Sequence, residues 1–175
     1  MENAEMNELK VYLESSFVSY LTGRETDDVK IAECQVYTRI WWKEQRVRCR
    51  YYASRFTADE SHKGGPDDIG CRREILRQIP MVEFDEDKVA DLANKLIVGH
   101  AVPPSETTDA LHIATAAVTG ADVLLTWNCK HMANPHALPL TRRIVNAAGF
   151  HCPAVMTPKT FLDNLNMEAR SWKNR

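Results

Sequence analysis

Apolar positions along the chain follow two rhythms. Short runs rich in β-branched and aromatic residues predict strands at Leu9–Leu13, Arg50–Ser54, Pro80–Phe84, Asp122–Thr126 and Ala154–Met156. Between them the apolar spacing changes to threes and fours. Phe17, Val18, Tyr20 and Leu21 predict a short helical turn that stops near Gly23. From Asp27 to about Arg46, the positions Val29, Ala32, Val36, Tyr37, Ile40 and Trp41 mark an amphipathic helix. Phe56–His62 is a short helix ended by Gly64, Gly65 and Pro66, and Pro66 opens another that runs to Gln78. Asp85 caps a helix carrying Val89, Leu92, Ala93, Leu96 and Ile97. Pro103 and Pro104 break the chain, Ser105 is placed to cap, and Thr107–Thr119 is helical and apolar almost all round. Leu138–Ala148 is a helix, and Thr157 and Pro158 begin a last one through Leu165.

Strands alternating with helices predict a three-layer α/β/α fold around a central, mainly parallel sheet. The predicted domain spans 9–165, between a frayed start at 1–8 and a polar tail at 166–175 in which Trp172 is available to dock. In such folds ligands bind beyond the carboxyl ends of the strands. That rule draws attention to "VYLESS", where the first strand ends in an acid, Glu14, followed by two hydroxyls.

Composition narrows the setting. With 175 residues, 44% hydrophobic and 26% charged, the chain suits one domain of ordinary globular make-up. No run approaches the roughly 18 apolar residues of a membrane span. The acidic start has no signal-peptide pattern, so a cytoplasmic protein is expected. Five scattered cysteines with no CxxC pair argue against a disulfide framework or a zinc knuckle. A net charge of −2 gives no broad attraction to nucleic acid. Basic residues cluster only locally, at Arg46, Arg48 and Arg50, at Arg72 and Arg73, and at Arg142 and Arg143.

Further oxygen-bearing side chains fall where the predicted topology gathers strand ends. Asp109 lies in the first turn of the apolar helix, where an acid also favours the helix dipole. Asn128 follows the strand ending at Thr126, and Glu60 follows the second strand, on what is otherwise a solvated helix face. No glycine-rich loop follows the first strand, and no serine sits in a nucleophile elbow. No histidine stands out. Oxygen ligands at several strand ends suit a hard cation such as Mg²⁺ or Mn²⁺.

The stretches "VYLESSFVSYL", "ADESHKG", "TTDALHIATAAVTGADVLLTWNCKHMANP" and "VMTPKTFL" together resemble the PIN domain, and most of all the VapC-type toxins of type II toxin–antitoxin pairs. The resemblance covers about Leu9 to Leu165 and is most specific from Asp109 through Asn134. It implies a metal-dependent ribonuclease using Mg²⁺ or Mn²⁺ held by Glu14, Glu60, Asp109 and Asn128, with Ser16 and Thr126 in support. It also implies an RNA substrate, a small antitoxin partner, a homodimer and no membrane association. Two positions depart from the family pattern: Glu14 and Asn128 stand where the family commonly has Asp. Three acids in one cleft repel, so at least one carboxyl pKa is expected to rise. Local arginines would hold RNA phosphates. Trp127 is a candidate for base stacking, whereas Trp41 and Trp42 read as core packing. The alternative is a degenerate PIN-like module that binds RNA or a protein without cutting.

Overall fold

The computed structural model describes residues 8–63 and 65–173, with the side chains of residue 66 and of 168–173 outside that description. Positions 1–7, Gly64 as a helix stop and the docking of Trp172 therefore lie outside the described residues. Four strands form one wholly parallel sheet: β1 (Lys10–Leu13), β2 (Arg50–Tyr52), β3 (Val123–Leu125) and β4 (Ala154–Met156), in the order β2-β1-β3-β4. Eight helices complete the described chain. They are α1 (Ser15–Thr22), α2 (Val29–Glu44), α3 (Arg55–Ser61), α4 (Pro66–Leu76), α5 (Glu86–Val98), α6 (Thr107–Val118), α7 (Leu138–Ala147) and α8 (Pro158–Lys173). This is a three-layer α/β/α architecture.

The two-residue period of the strands assigns the layers. Tyr12, Leu124, Tyr52 and Val155 point to one face and pack with α5, α6 and α7 through Leu92, Leu96, Ile113, Ala114 and Val145. Val11, Leu13, Val123 and Leu125 point to the other face and meet Phe17, Val18, Trp41, Leu76, Phe161 and Leu162. Val11, Tyr12 and Leu13 are fully buried, as a central parallel strand covered on both faces must be. Burial of each contributes about 1.5–3 kcal/mol.

Several expectations need correction. Pro80–Phe84 is not a strand. Its one ladder contact is a parallel bridge between Ala53 and Met81, just past the end of β2, so the segment meets the sheet at a single point and runs no further along the free edge of β2. Ser105 does not cap α6: Glu106 occupies that position without a side-chain cap bond. The last helix does not stop at Leu165: α8 continues from Pro158 to Lys173. On α2 the inward stripe is Gln35, Thr38 and Trp41, whereas Val29 and Val36 face outward. Thr38 tolerates burial because its hydroxyl donates to the Cys34 carbonyl (2.7 Å) and accepts the Trp127 indole N–H (2.8 Å). All five cysteines are free.

The topology positions the site. From β1 the chain adds β2 on one side, and β3 and β4 lie on the other, so the strand order reverses at β1. A cleft is expected beyond the carboxyl end of β1. Glu14 follows β1 there, and its N–H donates to the Leu125 carbonyl at the end of β3 (3.1 Å).

Candidate metal centre

Glu14 is buried and extended, and it serves as the N-cap of α1. Its side chain folds back over the helix start. Oε2 accepts from the Ser16 N–H (3.0 Å), from the Ser16 hydroxyl, and from the Thr126 hydroxyl (2.8 Å). Oε1 points the other way and accepts from Ser15 Oγ (2.5 Å). With one carboxylate oxygen capping α1, the other is left toward Ser15 and, through it, Glu60.

Glu60 reaches the same place from the end of α3. Ser54 caps the start of that helix, and Arg72 holds its far end through the Ser61 and Lys63 carbonyls. Glu60 Oε2 lies 2.6 Å from Ser15 Oγ and 3.0 Å from His112 Nε2. Ligand atoms of Glu14, Glu60 and His112 all fall within 4.8 Å of one another. The His112 bond is the main reason that the Glu60 carboxyl sits below its ordinary pKa, against the opposing effect of burial.

Asp109 lies outside this tight group but shares its electrostatics. Burial pushes its carboxyl up to about 6, and the Glu14 and Glu106 charges add to the rise. Of the repulsion expected among the three acids, only that of Glu14 is felt at Asp109, and it is secondary to burial. Asn128 donates its amide N–H to Asp109 Oδ2 (2.8 Å), while its Oδ1 accepts from the His131 N–H (3.1 Å). The carbonyl oxygen expected to face a metal is engaged in its own turn, and Asn128 presents a donor to Asp109. Ser16 and Thr126 both support Glu14, and Thr126 also accepts the Asn128 N–H (2.9 Å).

Three contributors escape a reading of the sequence. His112 is fully buried and bonded at both ring nitrogens, although no histidine stands out along the chain. Tyr12 holds its second nitrogen, and Ser15 sits between the two glutamates. The signals were present: His112 lies three residues after Asp109 on one helix, and Tyr12 lies two before Glu14. Trp127 is less free than expected. Its indole is fixed by Thr38 and packs edge-on against Tyr20 (5.8 Å between ring centres). Trp41 is fully buried between Phe17 and Phe161, as core packing requires.

The donor set could hold a metal ion. Ser15 has one hydroxyl proton, yet carboxylate oxygens of two different glutamates lie 2.5 and 2.6 Å from its oxygen. One of these contacts needs an added proton or positive charge. Among the described residues no lysine or arginine forms an ion pair with Glu14, Glu60 or Asp109. A cation would supply what the side chains do not.

Fold and site together define a class: a three-layer α/β/α protein with an acidic, histidine-supported cluster at the switch point of a parallel sheet. No protein-family model matches the chain, and no curated protein matches its sequence.

Proposed function

We propose that this chain is a PIN-type ribonuclease that cleaves RNA phosphodiesters with Mg²⁺ or Mn²⁺, the toxin of a cytoplasmic toxin–antitoxin pair. The observation that carries the reading is the convergence of Glu14 and Glu60, with Asp109 electrostatically coupled to Glu14, beyond the carboxyl end of β1. A ribonuclease of this kind needs no protein nucleophile: water attacks the phosphorus and the ribose oxygen leaves, and the carboxylates would serve to hold the ion. Glu14 and Glu60 would hold the ion, with Asp109 as a third acid. A bound divalent ion lowers the pKa of coordinated water and neutralises charge that develops on the phosphate. Ser16 and Thr126 keep Glu14 in place, and Asn128 orients Asp109. Lys63 is near enough to act on the Glu60 charge and is available to an RNA phosphate, along with the arginine clusters. A small antitoxin that covers the cleft and a homodimer belong to the same proposal.

One observation favours the second reading, a module that binds RNA or a protein partner without cutting. Asn128 turns its amide donor, not its oxygen, toward Asp109, which removes one ligand from the expected set. No membrane is invoked in either reading: among the described residues no helix is long and apolar enough to cross one. Cleavage of single-stranded RNA in Mn²⁺ or Mg²⁺, measured with and without EDTA, decides between them. The nuclease reading expects cleavage that EDTA abolishes and that falls at least tenfold in E14Q, E60Q and D109N. Full activity in EDTA, or in all three variants, would rule it out.

A further inference from the structure

A buried chain of hydrogen bonds leads away from the cleft to the helix that carries Glu60. Glu60 Oε2 meets His112 Nε2 at 3.0 Å, and His112 Nδ1 meets the Tyr12 hydroxyl at 2.8 Å. The Tyr12 hydroxyl meets Ser54 Oγ at 2.6 Å, and Ser54 Oγ accepts the Phe56 N–H (3.3 Å) as the N-cap of α3. Tyr12, Ser54 and His112 are buried, and His112 is entirely so. Phe56 and Tyr12 also pack edge-on against the imidazole, with ring centres 6.3 and 5.8 Å away.

The chain has a consistent set of donors. Glu60 Oε2 is a carboxylate acceptor, so Nε2 of His112 must carry a proton, whichever charge the ring bears. With a neutral ring, Nδ1 accepts from Tyr12 O–H, Tyr12 accepts from Ser54 O–H, and Ser54 accepts from Phe56 N–H. Every group along the line is then satisfied with one proton per hydroxyl. Burial keeps the phenol of Tyr12 protonated by pushing its pKa far up, so it remains a donor.

We infer that His112 is a positioning residue for Glu60. Its Nε2–H holds Oε2, while Tyr12 and Ser54 hold the ring, so the carboxylate is aimed into the cleft by a line anchored at the start of its own helix. Both ends of α3 are thus fixed relative to β1 and α6: Ser54 at the start through Tyr12, and Glu60 near the end through His112. In metal centres, partners that orient a ligand in this way typically change affinity by about 10–100-fold when removed. The metal part of the inference rests on the nuclease reading; the aiming of Glu60 does not.

The test compares two substitutions of His112 that keep different halves of the ring's hydrogen bonding. Gln places a donor where Nε2 was, and Asn places polar atoms only near Nδ1. Mn²⁺ affinity is read from the spectroscopic signal of free Mn²⁺, alongside the thermal melt of each variant. H112N is expected to lose at least tenfold in Mn²⁺ affinity, H112Q to stay within about threefold of the parent, and Y12F to fall between them. A merely structural histidine would lower both melting points and leave the affinity of the folded fraction unchanged. Where the parent binds Mn²⁺, equal affinity in the parent, H112N and H112Q would overturn the inference. A second measurement needs no metal: the ring ¹⁵N and Nε2–H resonances of His112 in the labelled chain. E60Q should shift them, because a neutral amide is a weaker acceptor than a carboxylate. If the parent takes up no Mn²⁺ but E60Q moves these resonances, the nuclease reading fails and the positioning of Glu60 stands. If they do not move, the positioning is wrong whatever the metal does.

Discussion

Replacing Asp109 by Asn should stabilise the folded chain while weakening its cleft. The side chain is only 9% exposed, and burial with the Glu14 and Glu106 charges lifts its carboxyl from 3.8 to about 6. Below the ordinary carboxylate range both the folded and unfolded chains hold the proton, and the site costs nothing. As pH rises the unfolded chain releases it first. The folded chain releases it only near 6, so the penalty grows through that window and is complete above it. A shift of about two units corresponds to about 3 kcal/mol without screening. Water at the cleft mouth reduces this to about 1–2 kcal/mol. Asn keeps an oxygen that can accept the Asn128 amide N–H, so the one direct bond need not be lost. For a chain of this size the gain is about 2–8 °C in melting temperature near neutral pH, vanishing near pH 3. Adding Mn²⁺ should reverse the order. The parent gains stability by mass action, and D109N gains much less. Melting curves by circular dichroism at several pH values, with and without Mn²⁺, measure all of this. A lower melting temperature for D109N at neutral pH, or a gain that persists near pH 3, would show that Asp109 carries no such penalty.

The neighbouring acids should respond differently. E60Q should lower stability at neutral pH, because the His112 bond holds that carboxyl below its ordinary pKa; the loss should fade as pH falls through the folded pKa, below the ordinary 4.5, as acid titration of the melting temperature will show. E14D restores the side chain usual in the resemblance. It should nonetheless cost about 1–3 kcal/mol in denaturant melts, since the shorter side chain cannot cap α1 and reach the Thr126 hydroxyl as well. S15A should leave the fold intact but bring the Glu14 and Glu60 oxygens into direct opposition, so that the Mn²⁺-dependent rise in melting temperature becomes larger than in the parent; an unchanged rise would show that Ser15 does not mediate between them.

The alternation of strand-like and helix-like runs was enough to predict the three layers, because β1 and β3 at the centre of the sheet are apolar on both faces and helices such as α5 and α7 carry an apolar stripe toward it. It failed at Pro80–Phe84, which touches the sheet at one bridge beyond β2, because pairing is set by how the segment is placed in the fold and not by its own composition. It also misjudged the face of α2, since Thr38 is made acceptable inside the protein by a tryptophan that arrives from elsewhere in the chain. The candidate site divides along the same line. Acids at strand ends are visible locally, because their position follows from where an element stops. The roles of Asn128, Ser15 and His112 depend on which atom of each side chain faces which neighbour, and only packing decides that.

Glu14 shows how far that difference reaches. In the resemblance it stands where Asp is common, one methylene longer than that residue. In the fold the added length has a use: one oxygen closes the first turn of α1 and binds Thr126, and the other is left toward Ser15 and Glu60. The α1 cap therefore orients the carboxylate without consuming its inward oxygen. The weaker member of the expected ligand set is then Asn128, whose oxygen is bound to the His131 N–H and whose amide is given to Asp109. Restoring an acid there would replace that donor with a second negative charge beside an already raised carboxyl. N128D should consequently depend on Mn²⁺ for its stability more than the parent does. A variant that melts at the parent's temperature without the ion would show that the Asn128 amide does not offset the Asp109 charge.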